Sequence, residues 1–242
     1  MIDRGTSRKM KGLALVLFTV LFLTSGCATV GTVMWDVKKP EFQEENHPIR
    51  DINLVVYSNG FHSNGSIREL IADTSHELER QVGIRLVIKS IQPIEWDGTS
   101  STKRLNTLYK RAKKDFGDKF DMAIGFGWHT PADLILMNVI GNWMAAIDDT
   151  YRRYIVVKTS SKYALTHELC HAFIFSHGHS STGLMQGVQI SLLPGTSGIN
   201  RTIYLSPKDR KEVLKNKWRD FNKRPQLRDK DRSDFLEEDK EE

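Results

Sequence analysis

Only two of the 242 residues are cysteine, Cys27 and Cys170, so if Cys27 is modified no intramolecular disulfide can form and the fold must stand on its core and on any metal it holds. Long apolar runs are equally scarce. The stretch from Leu13 to Leu23 has eleven residues, well short of the roughly 20 that a helix needs to cross a bilayer. An excess of positive charge is also missing where it would matter. The formal charge is +5, but residues 1–26 hold four basic residues and one acidic one, and without them 31 basic face 29 acidic residues, or +2. A near-neutral domain gives no electrostatic case for nucleic acid. No internal repeat is visible. The length, with 39% hydrophobic and 27% charged residues, fits one globular domain with a real core.

What is present begins with a leader. Arg4, Arg8, Lys9 and Lys11 precede the apolar run, and small residues follow it up to Cys27, which is the layout of an export signal. The segment Leu23-Thr24-Ser25-Gly26-Cys27 resembles the lipobox of bacterial lipoproteins, with the leucine one place further from the cysteine than is commonest. That resemblance implies cleavage before Cys27, lipid on Cys27 and a mature protein anchored to a membrane outside the cytoplasm. Ala28 is not the aspartate that retains such proteins at the inner membrane of Gram-negative cells, so the outer membrane is the expected place.

Residues 27–50 read as a lipidated tether and 223–242, mostly charge, as a solvated disordered tail, which leaves 51–222 for the folded domain, expected to act as a monomer. Within it, "INLVVYS" from Ile52, "IRLVIKSI" from Ile84 and "FDMAIGF" from Phe120 read as strands. Between them, Ile67, Leu70, Ile71, Leu78 and Val82 mark one helix stopped by Gly83. Leu105, Leu108, Tyr109, Ala112 and Phe116 mark a second, stopped by Gly117. Ser66 to Glu69 has the form of a capping box for the first of these. Strand and helix in alternation predict an α/β domain with a mostly parallel sheet. "NWMAAIDDTYRRYIVVKT" predicts two further strands about a turn at Asp148, Asp149 and Thr150, the first of them an antiparallel edge. The segment 129–141 has no clear assignment.

Four of the eight histidines fall in "HELCHAFIFSHGHSSTGLM", His167 to Met185. Ser160 or Ser161 is the expected N-cap of a helix carrying the first part. On a helix His167 and His171 are one turn apart on one face, within reach of a single ion, with Glu168 beside them. Zinc takes imidazole nitrogens in a tetrahedral shell and, in catalytic sites, keeps one position for water. A carboxylate excluded from that shell can take the proton from the water and pass it to a leaving amine. At this composition HExxH arises by accident in roughly one chain in seventy, so the motif alone is only moderately specific. Requiring His177, ten residues after His167, lowers the rate to roughly one in two thousand.

"HELCHAFIFSH" followed by "GHSSTGLM" resembles the metzincin class of zinc peptidases, most closely its matrixin group. The resemblance implies a twisted five-stranded sheet with two N-terminal helices, an active-site helix, a Met-turn and a C-terminal helix. "SPKDRKEVLKNKWRDF", with Ser206 as N-cap and Pro207 at the first helical position, would be that last helix. Carried over by position, His167, His171 and His177 would bind one Zn²⁺, Glu168 would be the general base, and Met185 would lie under the metal without a chemical step. The activity implied is hydrolysis of peptide bonds in peptide or protein substrates, held along an edge strand over 142–147.

The departure is Ile174, where the family has glycine. Left-handed backbone at a β-branched residue costs roughly 1–2 kcal/mol, so either Ile174 stays right-handed and the chain turns at Phe175, Ser176 or Gly178, or the site is built differently. His179 is then a substitute third ligand. A straight helix would place His177 roughly 15 Å along the axis from His167, so the zinc reading requires a turn before it. Cys170 points away from the ion and reads as a small buried core residue. His47, His62, His76 and His129 carry no spacing signal. The alternative from another class is a non-catalytic zinc-containing surface lipoprotein, against which Glu168 argues.

Overall fold

In the computed structural model, residues 47–127, 145–186, 202–228 and 236 are described. The leader, Cys27, the segment 129–141 and residues 142–144 of the expected edge strand lie outside them. The order is β1 (Arg50–Ser58), α1 (Asn64–Val82), β2 (Ile84–Pro93), α2 (Ser101–Phe116), β3 (Met122–Phe126), β4 (Ala145–Ile147), β5 (Tyr154–Val157), α3 (Lys162–His171) and α4 (Pro207–Asn216). The five strands form one sheet in the order β2-β1-β3-β5-β4. All pairs are parallel except β4 with β5, which makes β4 the antiparallel edge that the sequence predicts.

The alternation of side chains along β1 builds two cores. Ile52, Leu54 and Val56 join Ile67, Ile71 and Leu78 of α1, Leu165 and Leu169 of α3 and Val213 of α4 on one face. Val55 and Tyr57 join Leu105, Leu108 and Ala112 of α2 on the other. Both faces of the central strands are therefore covered, which is why these strands read as nearly continuous apolar runs. Gly83 stops α1 in the left-handed conformation, φ 67°, with its amide donating to Glu79 O at 2.9 Å.

The start of α1 differs from the expected capping box. Ser63 is the N-cap, and its side chain accepts the amide of Ser66, so the helix begins three residues earlier. Ser66 Oγ is engaged by Ser63 Oγ at 2.9 Å, which leaves the downstream box without its cap residue.

The β4–β5 turn forms where expected. Asp148 is buried there and accepts the amides of Tyr151, Arg152, Arg153 and Tyr154 at 2.6–3.1 Å. Four donors on one carboxylate close the turn and accommodate Arg152, which among the described residues is alone outside glycine in having a positive φ, 55°.

The domain extends a little beyond the expected limits at both ends. His47 Nε2 lies 2.8 Å from Arg210 Nη2, and Pro48 O accepts from Lys217 Nζ at 2.6 Å. In the charged segment, Arg228 N–H donates to Phe175 O at 2.9 Å, and Leu236 is buried, its amide donating to Thr150 Oγ1 at 2.9 Å.

Candidate metal centre

The site is built on α3, which starts at Ser161, a serine in extended backbone whose side chain accepts the Ala164 amide. One turn separates His167 from His171, and both rings are buried. Their Nε2 atoms approach to 3.1 Å. His167 Nδ1 lies 2.8 Å from Leu184 O, so its proton sits on Nδ1 and donates to that carbonyl while Nε2 keeps its lone pair. Tyr163, one turn earlier, stacks on the His167 ring at 6.1 Å, and its hydroxyl donates to the same Leu184 O at 3.2 Å. Burial pushes the His167 imidazole down to about 4, with His179 adding to the shift and the Leu184 carbonyl opposing it, so the ring is neutral near pH 7.

The third ring of the group belongs to His179. Nitrogens of His167, His171 and His179 all lie within 4.8 Å of one another. His179 stacks on His167 at 5.3 Å with the planes 27° apart and meets His171 edge-on at 5.3 Å. His177, expected in this place, points elsewhere: its Nε2 lies 2.8 Å from Asp209 Oδ1 on α4 and its Nδ1 2.6 Å from Ser176 Oγ. The physical reason is the buried Asp209 carboxylate, which requires partners and takes His177 together with Ser180.

The exit from α3 explains how the chain dispenses with glycine at 174. Ile174 is fully buried and has no positive φ; Phe173 and Ile174 both donate to Cys170 O, at 3.0 and 3.1 Å, so the last turn tightens instead of reversing hand. The chain then bends at Ser176 and Gly178. Carbonyls that a glycine cap would have satisfied are met from outside. Arg152 donates to His171 O, Arg219 to Ala172 O and Asn216 to Phe173 O, at 2.8–3.2 Å. Beyond them, Glu212 accepts the amides of Phe175 and Ser176 at 2.7 and 2.8 Å. Burial alone would raise the Glu212 carboxyl, but the donors from Ser176 and Phe175, with His177 nearby, leave it below the ordinary carboxylate value.

Met185 is fully buried under the loop, and its carbonyl accepts the Ser180 amide at 2.9 Å. Gly183, φ 79°, precedes it; a Cβ there would meet Ser206 N at 2.7 Å and Tyr204 O at 3.0 Å, so only glycine lets this loop lie against the chain before α4. The approach fixes Leu184, whose amide donates to Tyr204 O at 2.7 Å and whose carbonyl faces His167. Glu168 is half-buried beside His167. Cys170 is fully buried, and burial raises its thiol, as a core cysteine requires.

The sequence reading missed Tyr163, Leu184, Asp209 and Glu212. A tyrosine one turn before His167 was the one available signal; the others become visible only when α4 is placed. His129 lies outside the described residues, and a cavity of about 730 Å³ at the carboxyl ends of β1 and β2, lined by Ser58, Asn64, Gln92, Glu95 and Arg111, has none of the three histidines in its wall. The clustered imidazoles, with their chemistry, mark the site better than that open hollow.

No family model matches the chain, and no curated protein does. Solved structures do. Archaemetzincin from Methanopyrus kandleri is 12% identical, with 70% of this chain and 97% of that chain covered and a TM-score of 0.47. Metalloproteinase-II from Bacteroides fragilis is 16% identical, with 72% and 54% covered and a TM-score of 0.47. A chain of a chaperone-substrate complex is 10% identical, with 69% and 34% covered and a TM-score of 0.45. The present chain thus spans about a third of the last and about half of the second, and none of these likenesses assigns a role to a residue.

Proposed function

We propose that the chain is a zinc-dependent metallopeptidase whose metal is held by His167, His171 and His179. The observation that carries this reading is that nitrogens of His167, His171 and His179 lie within 4.8 Å of one another at the helix that also carries Glu168. The residues fit the ion. A tetrahedral zinc with nitrogen bonds of about 2.0–2.1 Å needs its ligand nitrogens roughly 3.3 Å apart; the Nε2 atoms of His167 and His171 are at 3.1 Å, and with His179 the three nitrogens lie within 4.8 Å. His167 is neutral, and its Nδ1 proton is committed to Leu184 O, the second bond that orients ligating histidines. When bound, zinc would polarise a scissile carbonyl and acidify a water. Glu168 would take a proton from that water and return it to the leaving amine. The outer side of β4 carries no partner strand among the described residues, so an extended peptide can add there by backbone pairing. The lipobox-like segment supports export and attachment to a membrane through lipid on Cys27.

The test is zinc content per chain and cleavage of a peptide library, before and after Glu168→Ala. Stoichiometric zinc in both proteins is expected, with cleavage lowered by about 10²–10⁴-fold in the variant. Stoichiometric zinc with no cleavage of any peptide would overturn the enzyme reading, and absence of zinc would overturn the metal site.

A further inference from the structure

His177 and its partners on α4 form a second cluster, which the proposed chemistry does not use. Both ring nitrogens are engaged, Nδ1 by Ser176 Oγ at 2.6 Å and Nε2 by Asp209 Oδ1 at 2.8 Å and Ser180 Oγ at 3.0 Å. Ser180 Oγ also donates to Asp209 Oδ1 at 2.6 Å, and Ser206, the N-cap of α4, donates to Asp209 Oδ2 at 2.7 Å. Glu212, one turn further along α4, accepts the amides of Phe175 and Ser176 and the Ser176 hydroxyl. The loop on either side of His179 is thus tied at Phe175, Ser176, His177 and Ser180 to two carboxylates of a single helix.

We propose that His177 is a positioning residue for the metal centre: by locking the loop to Asp209 it holds His179 against His167 and His171. This rests on the zinc reading above. Two physical points carry it. His179 stands on chain without regular structure, so no helix or strand of its own fixes its place, and yet its ring stacks on His167 with the planes 27° apart. Two residues of chain span at most about 7 Å, so anchoring His177 and Ser180 on either side confines the His179 Cα to a small volume. Asp209 has 0% side-chain exposure, so its carboxylate cannot exchange these donors for water. If His177 turned to the metal, this buried carboxylate would keep only Ser180 and Ser206 as side-chain donors.

The test uses the full chain and zinc or cobalt alone, with affinity measured by chelator competition well below the unfolding temperature of the metal-free protein. The parent chain is expected to bind one zinc. His177→Ala should weaken binding by about 10–100-fold, the usual effect of removing a residue that orients a ligand, while the visible spectrum of the cobalt form keeps the parent's intensity and band positions. His177→Gln, whose amide can still donate to Asp209, should recover part of that affinity. His179→Ala should change the cobalt spectrum itself, because a nitrogen is lost. Unchanged affinity in His177→Ala, even with a lower melting temperature of the metal-free protein, would show a purely structural role and overturn the proposal. Ligand loss in the cobalt spectrum of His177→Ala but not of His179→Ala would overturn it by making His177 the ligand. A parent chain that binds no zinc would overturn the zinc reading, and this inference with it. If His177→Ala does not fold, His177→Gln and Asp209→Asn carry the affinity comparison.

Discussion

His167 and His171 stand on consecutive turns of a capped helix, whereas His179 stands eight residues beyond the last helical residue on chain with no regular structure. The first pair is placed by the pitch of the α-helix, and anything that forms the helix brings the two rings together. The third ring is placed by contacts from residues 29 to 37 positions further along the chain, Asp209 and Glu212 above all. One centre thus combines a local device and a tertiary one, and the two should respond differently to change.

The sharpest way to break the comparison is Ile174→Gly, which restores the residue that the metzincin pattern has at this place. If local sequence governed the exit from α3, the change would be neutral or stabilising. Because Ile174 is buried in the core and has no positive φ, it should instead cost about 4 kcal/mol, the cavity and the added backbone freedom together, read by urea unfolding.

Acid acts on the buried helical ring of His167. His167 titrates at about 4 in the fold against 6.5 in an unfolded chain, so protonation favours unfolding. Stability of the metal-free chain should be level with respect to this group above pH 6.5 and fall by about 3 kcal/mol as pH drops through 4, and His167→Gln should remove that component of the slope.

Arg219→Ala attacks the tertiary device alone. It removes donors from Ala172 O, Arg152 O and Tyr151 O and should cost about 2 kcal/mol, again by urea unfolding, while the amide protection of α3 in hydrogen exchange stays near that of the parent. Ser161→Ala is the smallest and the converse change. Losing the cap on the Ala164 amide should cost about 1 kcal/mol and increase exchange in the first turn of α3, leaving the loop that carries His179 in place.

Much of this was legible beforehand because it is local. The apolar periodicities of 67–82 and 105–116 stand where α1 and α2 are found, and Asp148 closes the turn that its neighbours announce. Ser206 and Pro207 start α4 as a cap and a first helical proline should. The start of α1 was misread because two serines three residues apart can each form a cap, and which of them is extended depends on how β1 delivers the chain. Which ring joins His167 and His171, His177 or its substitute His179, is undecided in the sequence for a comparable reason. His177 and His179 are both within reach of the pair once the chain bends, and spacing cannot say which is drawn off by a carboxylate on a helix yet to come.

The sequence by itself determined the α/β order, the helix that bears His167, Glu168 and His171, and the buried place of Cys170, since caps, pitch and apolar period act over a few residues. Tertiary structure alone decided how α3 ends without glycine and which histidine turns inward. Both depend on satisfying buried polar groups, the carbonyls of His171, Ala172 and Phe173 and the carboxylates of Asp209 and Glu212, and their partners come from distant segments, the β4–β5 turn, α4 and the chain after it on one side and the loop after α3 on the other, which meet only in the folded chain.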